Sequence, residues 1–288
     1  MAAGLAPRRR CVVRRVRGYG MAALSMNEMT TFRWTFEEDV TQYKAAGIEA
    51  IGVWRQKLAD FGEEKGIELL AASGLNVSNL LWAGGFTGSD GHSYRESLAD
   101  ASDALHLAGA MGSGCLVVYS GGRNGHTQNH ARRLFASALA ELLPLAEDLK
   151  IVLAIEPMHS GCAEEWTFLT GLDEAMSLIN RAGSPYLKLA FDTYHLGHDP
   201  RIVDQIAAIA PQIGVVHLGD SLCPPSREQN RRCLGEGTLP LPCIVKALRK
   251  AGYDGYYDVE LIGEAIENCD YHQLLEGSKR AFQQLVER

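Results

Sequence analysis

The chain has 288 residues, 46% of them hydrophobic, with 35 acidic against 28 basic side chains and a net charge of −7 at neutral pH. This is enough to bury one large core, and the absence of any 18-residue apolar run leaves no membrane-spanning helix. Charge is uneven. Residues 1–21 hold six arginines (Arg8, Arg9, Arg10, Arg14, Arg15 and Arg17) and no acid, so the remainder carries 22 basic against 35 acidic residues and repels polyanions such as nucleic acid.

The arginine-rich start reads as a disordered basic tail, or as a start placed too early with Met21 the true one. A transit peptide would be basic and acid-poor in the same way, but no amphipathic pattern is clear. A secretory signal needs an apolar core that Gly18-Tyr19-Gly20 interrupts. The seven cysteines are scattered, odd in number and free of C-x-x-C pairs, which fits a reduced cytoplasmic protein better than a disulfide framework.

Beyond residue 21, apolar runs alternate with amphipathic stretches. A first strand is expected over 22–27. A helix follows over 35–46, where Thr35 and the early acids Glu37, Glu38 and Asp39 suit an N-terminus and Gly47 ends it. Next come a strand at 48–54, one helical stretch of mixed charge to about residue 73, and a strand at 75–82. Glycine-rich residues 83–92 lead to a helix over 96–111, a strand at 112–119 and a long helix over 129–148. Four short apolar runs, 151–155, 187–191, 213–216 and 255–259, supply further strands, with helices near 172–182, 201–210, 241–251 and 271–287. Eight strand–helix units over 22–288 match a single α/β domain, a closed (β/α)8 TIM barrel, better than a doubly wound sheet.

The last four strands end alike, in Glu156, Asp192, His217 and Glu260. One such residue means little, because an Asp there often only caps the next helix. Four in succession point to a shared site, since reactive groups collect at the C-terminal rim of a barrel. Three converging carboxylates would repel one another, and a divalent cation removes that conflict. Three oxygens and one imidazole nitrogen suit Mn²⁺, Mg²⁺ or Co²⁺, with coordination positions left for two neighbouring substrate oxygens. Glu156 and Glu260 each keep a second oxygen for proton transfer, from opposite sides of a substrate. The ion would stabilise the enediolate formed when a carbon beside a carbonyl loses its proton. Return of the proton to the opposite face inverts that carbon, and return to the next carbon moves the carbonyl.

At these residues the chain resembles the xylose-isomerase-like superfamily, which includes ketose 3-epimerases, hydroxypyruvate isomerase, inosose dehydratase and, more distantly, endonuclease IV. The segments that carry the likeness are Ile155-Glu156-Pro157, Phe191-Asp192-Thr193-Tyr194-His195, His217-Leu218-Gly219-Asp220, Gly235-Glu236-Gly237 and Asp258-Val259-Glu260. The resemblance implies one metal held by Glu156, Asp192, His217 and Glu260, with Glu156 and Glu260 as the acid/base pair and His195 as a substrate-hydroxyl contact. Two departures fall on substrate contacts. The Asn-Arg and further Glu usual in 3-epimerases after the first metal Glu are replaced by Met158-His159-Ser160-Gly161-Cys162. The Arg six residues past the metal His is replaced by Cys223, a loss that Arg231 or Arg232 could make good; Arg232 is taken as the substrate contact. The extra histidines and the Asp-x-His of endonuclease IV are missing, which with the acidic body speaks against DNA repair.

Further candidates lie at other strand ends and in the rim loops. Trp54 is a candidate wall against a sugar ring, with packing under the rim loops the alternative, and Trp82 near Phe86 is a weaker one. His159 and His198 read as surface or supporting histidines. Asp220 is a loop anchor or the group that orients His217. Glu236 suits a tight turn, and the long 221–237 connection suits a lid. Gly84-Gly85 and Gly121-Gly122 lack a phosphate-loop pattern. The function expected is a metal-dependent isomerase or epimerase of a small carbohydrate or keto-sugar. Alternatives are a lyase or dehydratase of a keto-sugar or inosose using the same site, and a non-catalytic sugar-binding barrel. The partner expected is a small carbohydrate, with no nucleic acid and no membrane, and with homo-oligomerisation open.

Overall fold

Apolar runs of four to nine residues, rich in Val, Ile and Leu and buried on both faces, have one economical arrangement: a parallel sheet wrapped by helices. The computed structural model, which describes residues 22–287, has that arrangement. The stretch 1–21 lies outside the described residues. The strands are β1 (Ala23–Asn27), β2 (Ala50–Trp54), β3 (Asn76–Gly84), β4 (Cys115–Tyr119), β5 (Val152–Ile155), β6 (Leu187–Asp192), β7 (Ile213–Leu218) and β8 (Tyr256–Val259). They pair in sequence order, all parallel, and β8 closes onto β1 with register from Ala23↔Tyr256 to Met26↔Val259. Closure leaves no sheet edge exposed. The fold is the (β/α)8 TIM barrel.

The helices are α1 (Phe36–Ala45), α2 (Arg55–Phe61), α3 (Glu63–Ser73), α4 (Tyr94–Met111), α5 (Gln128–Leu149), α6 (Leu172–Ala182), α7 (Thr193–Leu196), α8 (Ile202–Ile209), α9 (Leu241–Lys250), α10 (Glu264–Glu267) and α11 (Tyr271–Glu287). Thr35 and Glu38 form a capping box at α1, and Ser93 and Glu96 form another at α4. Each such cap contributes about 1 kcal/mol. The mixed-charge stretch expected as one helix is two, because Gly62 between α2 and α3 has φ +105°, outside the helical range. The short helices α7 and α10 are not apparent from periodicity, since four residues make barely one turn.

The barrel interior is lined by Leu81, Cys115, Val117, Ala154, Ala190 and Val215, a cluster separate from the larger core between strands and helices. Side chains alternate along a strand, so the residue two beyond an inward one also points inward. Ala154 is followed at that spacing by Glu156, Ala190 by Asp192, Val215 by His217 and Asp258 by Glu260. Strand periodicity alone therefore aims all four candidate ligands at the mouth of the barrel. Among the described residues no helix is long and apolar enough to cross a membrane.

Candidate metal centre

The four residues meet. One ligand atom from each of Glu156, Asp192, His217 and Glu260 lies within 4.8 Å of all the others, and all four residues are buried. His217 Nδ1 is 2.9 Å from Glu156 Oε1 and 3.1 Å from Glu260 Oε2. Asp192 is held by the helix that follows it: Oδ1 accepts the Tyr194 N–H at 2.6 Å as the cap of α7, which turns Oδ2 to the site. One oxygen of the carboxylate thus caps the helix and the other faces the cluster. The strand ends are tied beside it, where Thr193 Oγ1 donates to the Gly219 carbonyl at 2.8 Å.

A fifth charged group is present. Arg231 is 2% exposed, with Nη2 2.9 Å from Asp192 Oδ2 and Nη1 3.3 Å from Glu260 Oε2. Its guanidinium lies 4.8 Å over the Tyr194 ring and donates from Nη1 to the Glu260 carbonyl at 2.9 Å. The Asp192 Oδ2 contact is close in charge but off-axis, and that oxygen has no hydrogen-bond partner.

Burial by itself favours uncharged forms, and here charges oppose it. For His217, Glu260 and Glu156 outweigh burial and hold the imidazolium well above the usual histidine range. Burial would also raise Glu260, yet Arg231 and His217 bring its carboxyl down to about 2. For Asp192 burial prevails over Arg231, and its carboxyl is raised. Burial, helped by Arg231, lowers the His195 imidazole to about 3, so that ring is neutral.

A divalent ion fits these residues. Six ligands at about 2.1 Å put opposite donors about 4.2 Å apart, which four donors within 4.8 Å can match. Charge balance agrees. Three carboxylates facing a guanidinium and an imidazolium leave one negative charge over, and exchanging the imidazole proton for a divalent cation brings the sum to zero.

The long connection from β7 to α9 brings Arg231 in. Asp220 anchors it, with Oδ1 accepting from Ser221 N and Leu239 N and Oδ2 from Gly235 N and Gly237 N, at 2.8 to 3.2 Å. Both oxygens are engaged there, so Asp220 is the loop anchor and not the group behind His217. The segment then runs extended past the rim, with Arg232 N donating to Asp220 O at 2.8 Å and Arg231 N to Ile262 O at 2.8 Å. Consecutive side chains of an extended segment point to opposite sides. Arg231 enters the site, while Arg232, half-buried, pairs with Asp220 through its backbone.

The other candidates are placed as follows. His195 lies next to the cluster, with Nε2 3.7 Å from Asp192 Oδ2 and Nδ1 3.7 Å from Cys162 Sγ. Trp54 stacks on the exposed Phe32 with ring centres 5.7 Å apart. Trp82 packs on Trp166 at 5.5 Å, whereas Phe86 turns away to stack on Phe135. His159 and His198 face one another at 6.5 Å, and Glu236 is exposed. Tyr194 lies inside the segment around Asp192, and Cys162 ends the stretch that departs from the 3-epimerase pattern, so the sequence marks the neighbourhood of both but not their contacts.

Comparison with known proteins follows the same lines. A family model described as xylose isomerase-like TIM barrel matches residues 40–284. The D-psicose 3-epimerase of Enterocloster bolteae is 26% identical over 230 residues, covering 75% of this chain and 70% of that one. A Streptomyces coelicolor protein provisionally named hydroxypyruvate isomerase is 27% identical over 238 residues, covering 75% and 81%. A crystal structure of a Sinorhizobium meliloti protein superposes with TM-score 0.85 at 27% identity, covering 91% of this chain and 98% of that one. With the barrel, the rim cluster and a family match over most of its length, the chain belongs to the xylose isomerase-like TIM barrel family.

Proposed function

We propose that the protein is a divalent-metal-dependent isomerase or epimerase of a small carbohydrate or keto-sugar. The observation that carries this reading is the convergence of Glu156, Asp192, His217 and Glu260 on a space one ion would fill, with the two glutamates flanking the imidazole. Mn²⁺, Mg²⁺ or Co²⁺, when bound by these four residues, supplies Lewis-acid polarisation of a substrate carbonyl and its neighbouring hydroxyl. Glu156 and Glu260 act as the acid/base pair: one takes the proton from carbon, and the same or the other returns it. Arg231, held over Tyr194, keeps Glu260 ionised and offers its remaining donors to substrate oxygens. The neutral His195 exchanges hydrogen bonds with a substrate hydroxyl. Trp54 offers an apolar face to the sugar ring. The relatives named for psicose epimerisation and hydroxypyruvate isomerisation support the reaction class.

A second reading keeps the site and changes the outcome to elimination of water or a glycosyl group. It is favoured by the connection after β5, where Met158 and Cys162 stand where polar substrate contacts would serve a 3-epimerase. One experiment addresses both readings. The purified protein is loaded with Mn²⁺ and incubated in D₂O with ketoses and inososes, and the products are followed by NMR. Deuterium incorporated at conserved formula means isomerisation, while release of water or an aglycone means elimination. Glu156→Gln and Glu260→Gln should each lower turnover by roughly a hundredfold to ten-thousandfold. Full turnover in both variants would end the acid/base assignment.

A further inference from the structure

Directly below the four ligands, one side of the barrel interior is polar. Asp258 on β8 is fully buried, and its Oδ2 accepts from Asn27 Nδ2 at 2.7 Å and Asn79 Nδ2 at 2.8 Å. Gly52 on β2 makes room for it, since a Cβ there would lie 2.3 Å from that oxygen. Asp258 is the register partner of His217 on β7, and both point into the barrel. A carboxylate in such a place is costly unless its lone pairs are used. The Ser25 hydroxyl also acts on this carboxylate, yet Asp258 Oδ1 has no hydrogen bond of full geometry, and among the other buried atoms in the same state are Asn79 Oδ1 and His217 Nε2.

His217 turns Nδ1 to Glu156 and Glu260, so Nε2 faces away from them. A metal-bound histidine is normally oriented by what its other ring nitrogen donates to. Asp220 is fully engaged in its loop and does not serve. We propose that Asp258 is the positioning residue for His217, acting through one buried water that accepts the Nε2–H bond and donates to Asp258 Oδ1 and Asn79 Oδ1. No direct hydrogen bond joins the imidazole to this carboxylate, so the proposed link runs through a bridge. One donor and two acceptors are what a single buried water satisfies. The arrangement keeps a proton on Nε2, leaves the Nδ1 lone pair for the ion and stops the ring from turning. This inference rests on reading the four-residue cluster as a metal centre.

The test uses the full chain. Asp258→Asn keeps shape and can still accept from Asn27 and Asn79, but presents N–H where the water needs an acceptor. Mn²⁺ affinity is measured by titration calorimetry, thermal unfolding is recorded without metal, and metal-free crystal structures of wild type and variant are compared. Expected are a water touching all three atoms in the wild type and a metal affinity roughly 10–100-fold weaker in the variant, with metal-free unfolding nearly unmoved. Asn79→Ser, which removes the other acceptor, should weaken Mn²⁺ in the same direction and guards against a variant that does not fold. Unchanged Mn²⁺ affinity in both variants, or a wild-type crystal with no bridging water, overturns the proposal. If the wild type itself takes up no divalent ion, the metal reading is what fails. The crystals then still decide the bridge: a His217 ring that stays put in Asp258→Asn overturns it, and a ring that turns supports it.

Discussion

Two of the places where the molecule buries acids are solved differently. Near the ends of β1 and β2, Glu28 and Asp39 are fully buried beside Lys57, whose ammonium is 2.6 Å from Asp39 Oδ2 and donates as well to the carbonyls of Glu28 at 3.1 Å and Thr31 at 2.9 Å. All three ammonium donors are used. Burial, and next the charge of Asp39, raises the Glu28 carboxyl well above the usual glutamate range, and Lys57 supplies a cation from within the chain. Across the rim, Glu156, Asp192 and Glu260 outnumber the cations facing them, His217 and Arg231, although one carboxylate oxygen in each cluster, Glu28 Oε1 and Asp192 Oδ2, has no hydrogen bond. Burial of carboxylates alone does not mark a site. An excess of acids over the cations facing them is the better mark, because a cation from solution can balance it.

Breaking the closed cluster should have the largest effect. Lys57→Met leaves Asp39 buried without its cation and should cost about 3–5 kcal/mol in urea unfolding, while Mn²⁺ affinity holds. The open cluster should respond instead to added ion. At a hundredfold excess over the dissociation constant, Mn²⁺ should stabilise the wild type by about 2.7 kcal/mol, and Asp192→Asn should lose most of that gain. Equal stabilisation of Asp192→Asn would remove Asp192 from the ligand set.

The smallest effect concerns pH. Asp39 is raised to about 6, by burial first, against the pull of Lys57, and Glu28 is raised as well. Carboxyls raised on folding bind more protons in the native than in the unfolded state. The Asp39 contribution is complete below about pH 4 and is lost as pH rises through about 6, and that of Glu28 declines with rising pH in the same sense. Glu28→Gln, which keeps the hydrogen bond but cannot ionise, should flatten that decline by on the order of 1 kcal/mol. An unchanged slope would mean the pair does not share a proton.

Much of the site was readable before the fold. The four ligands each close an apolar run, and period-two alternation puts them on one face whatever the exact strand limits. The strands expected from 48, 75 and 112 begin one to three residues later, because the chain leaving each helix turns before it reaches a neighbouring strand to pair with. Arg231 and Arg232 are chemically identical neighbours, and only the pairing of Arg232 with Asp220 decides which one faces inward. Asp220 and Asp258 stand at similar distances from metal ligands in sequence, and nothing local says that one anchors a loop and the other lies under the imidazole.

Composition, alternation and the residues at strand ends thus determined the barrel, the half of its rim that carries chemistry and the ligand types gathered there. These are properties of short stretches, set by side-chain period and by where apolar runs stop. What only the tertiary structure decided is how charges from distant segments meet: Lys57 with Asp39, Arg231 between Asp192 and Glu260, and Asp258 beneath His217. Closure of the sheet brings these groups together across up to 231 positions of chain, as between Asn27 and Asp258. Electrostatic balance depends on distances through space, which no local pattern encodes.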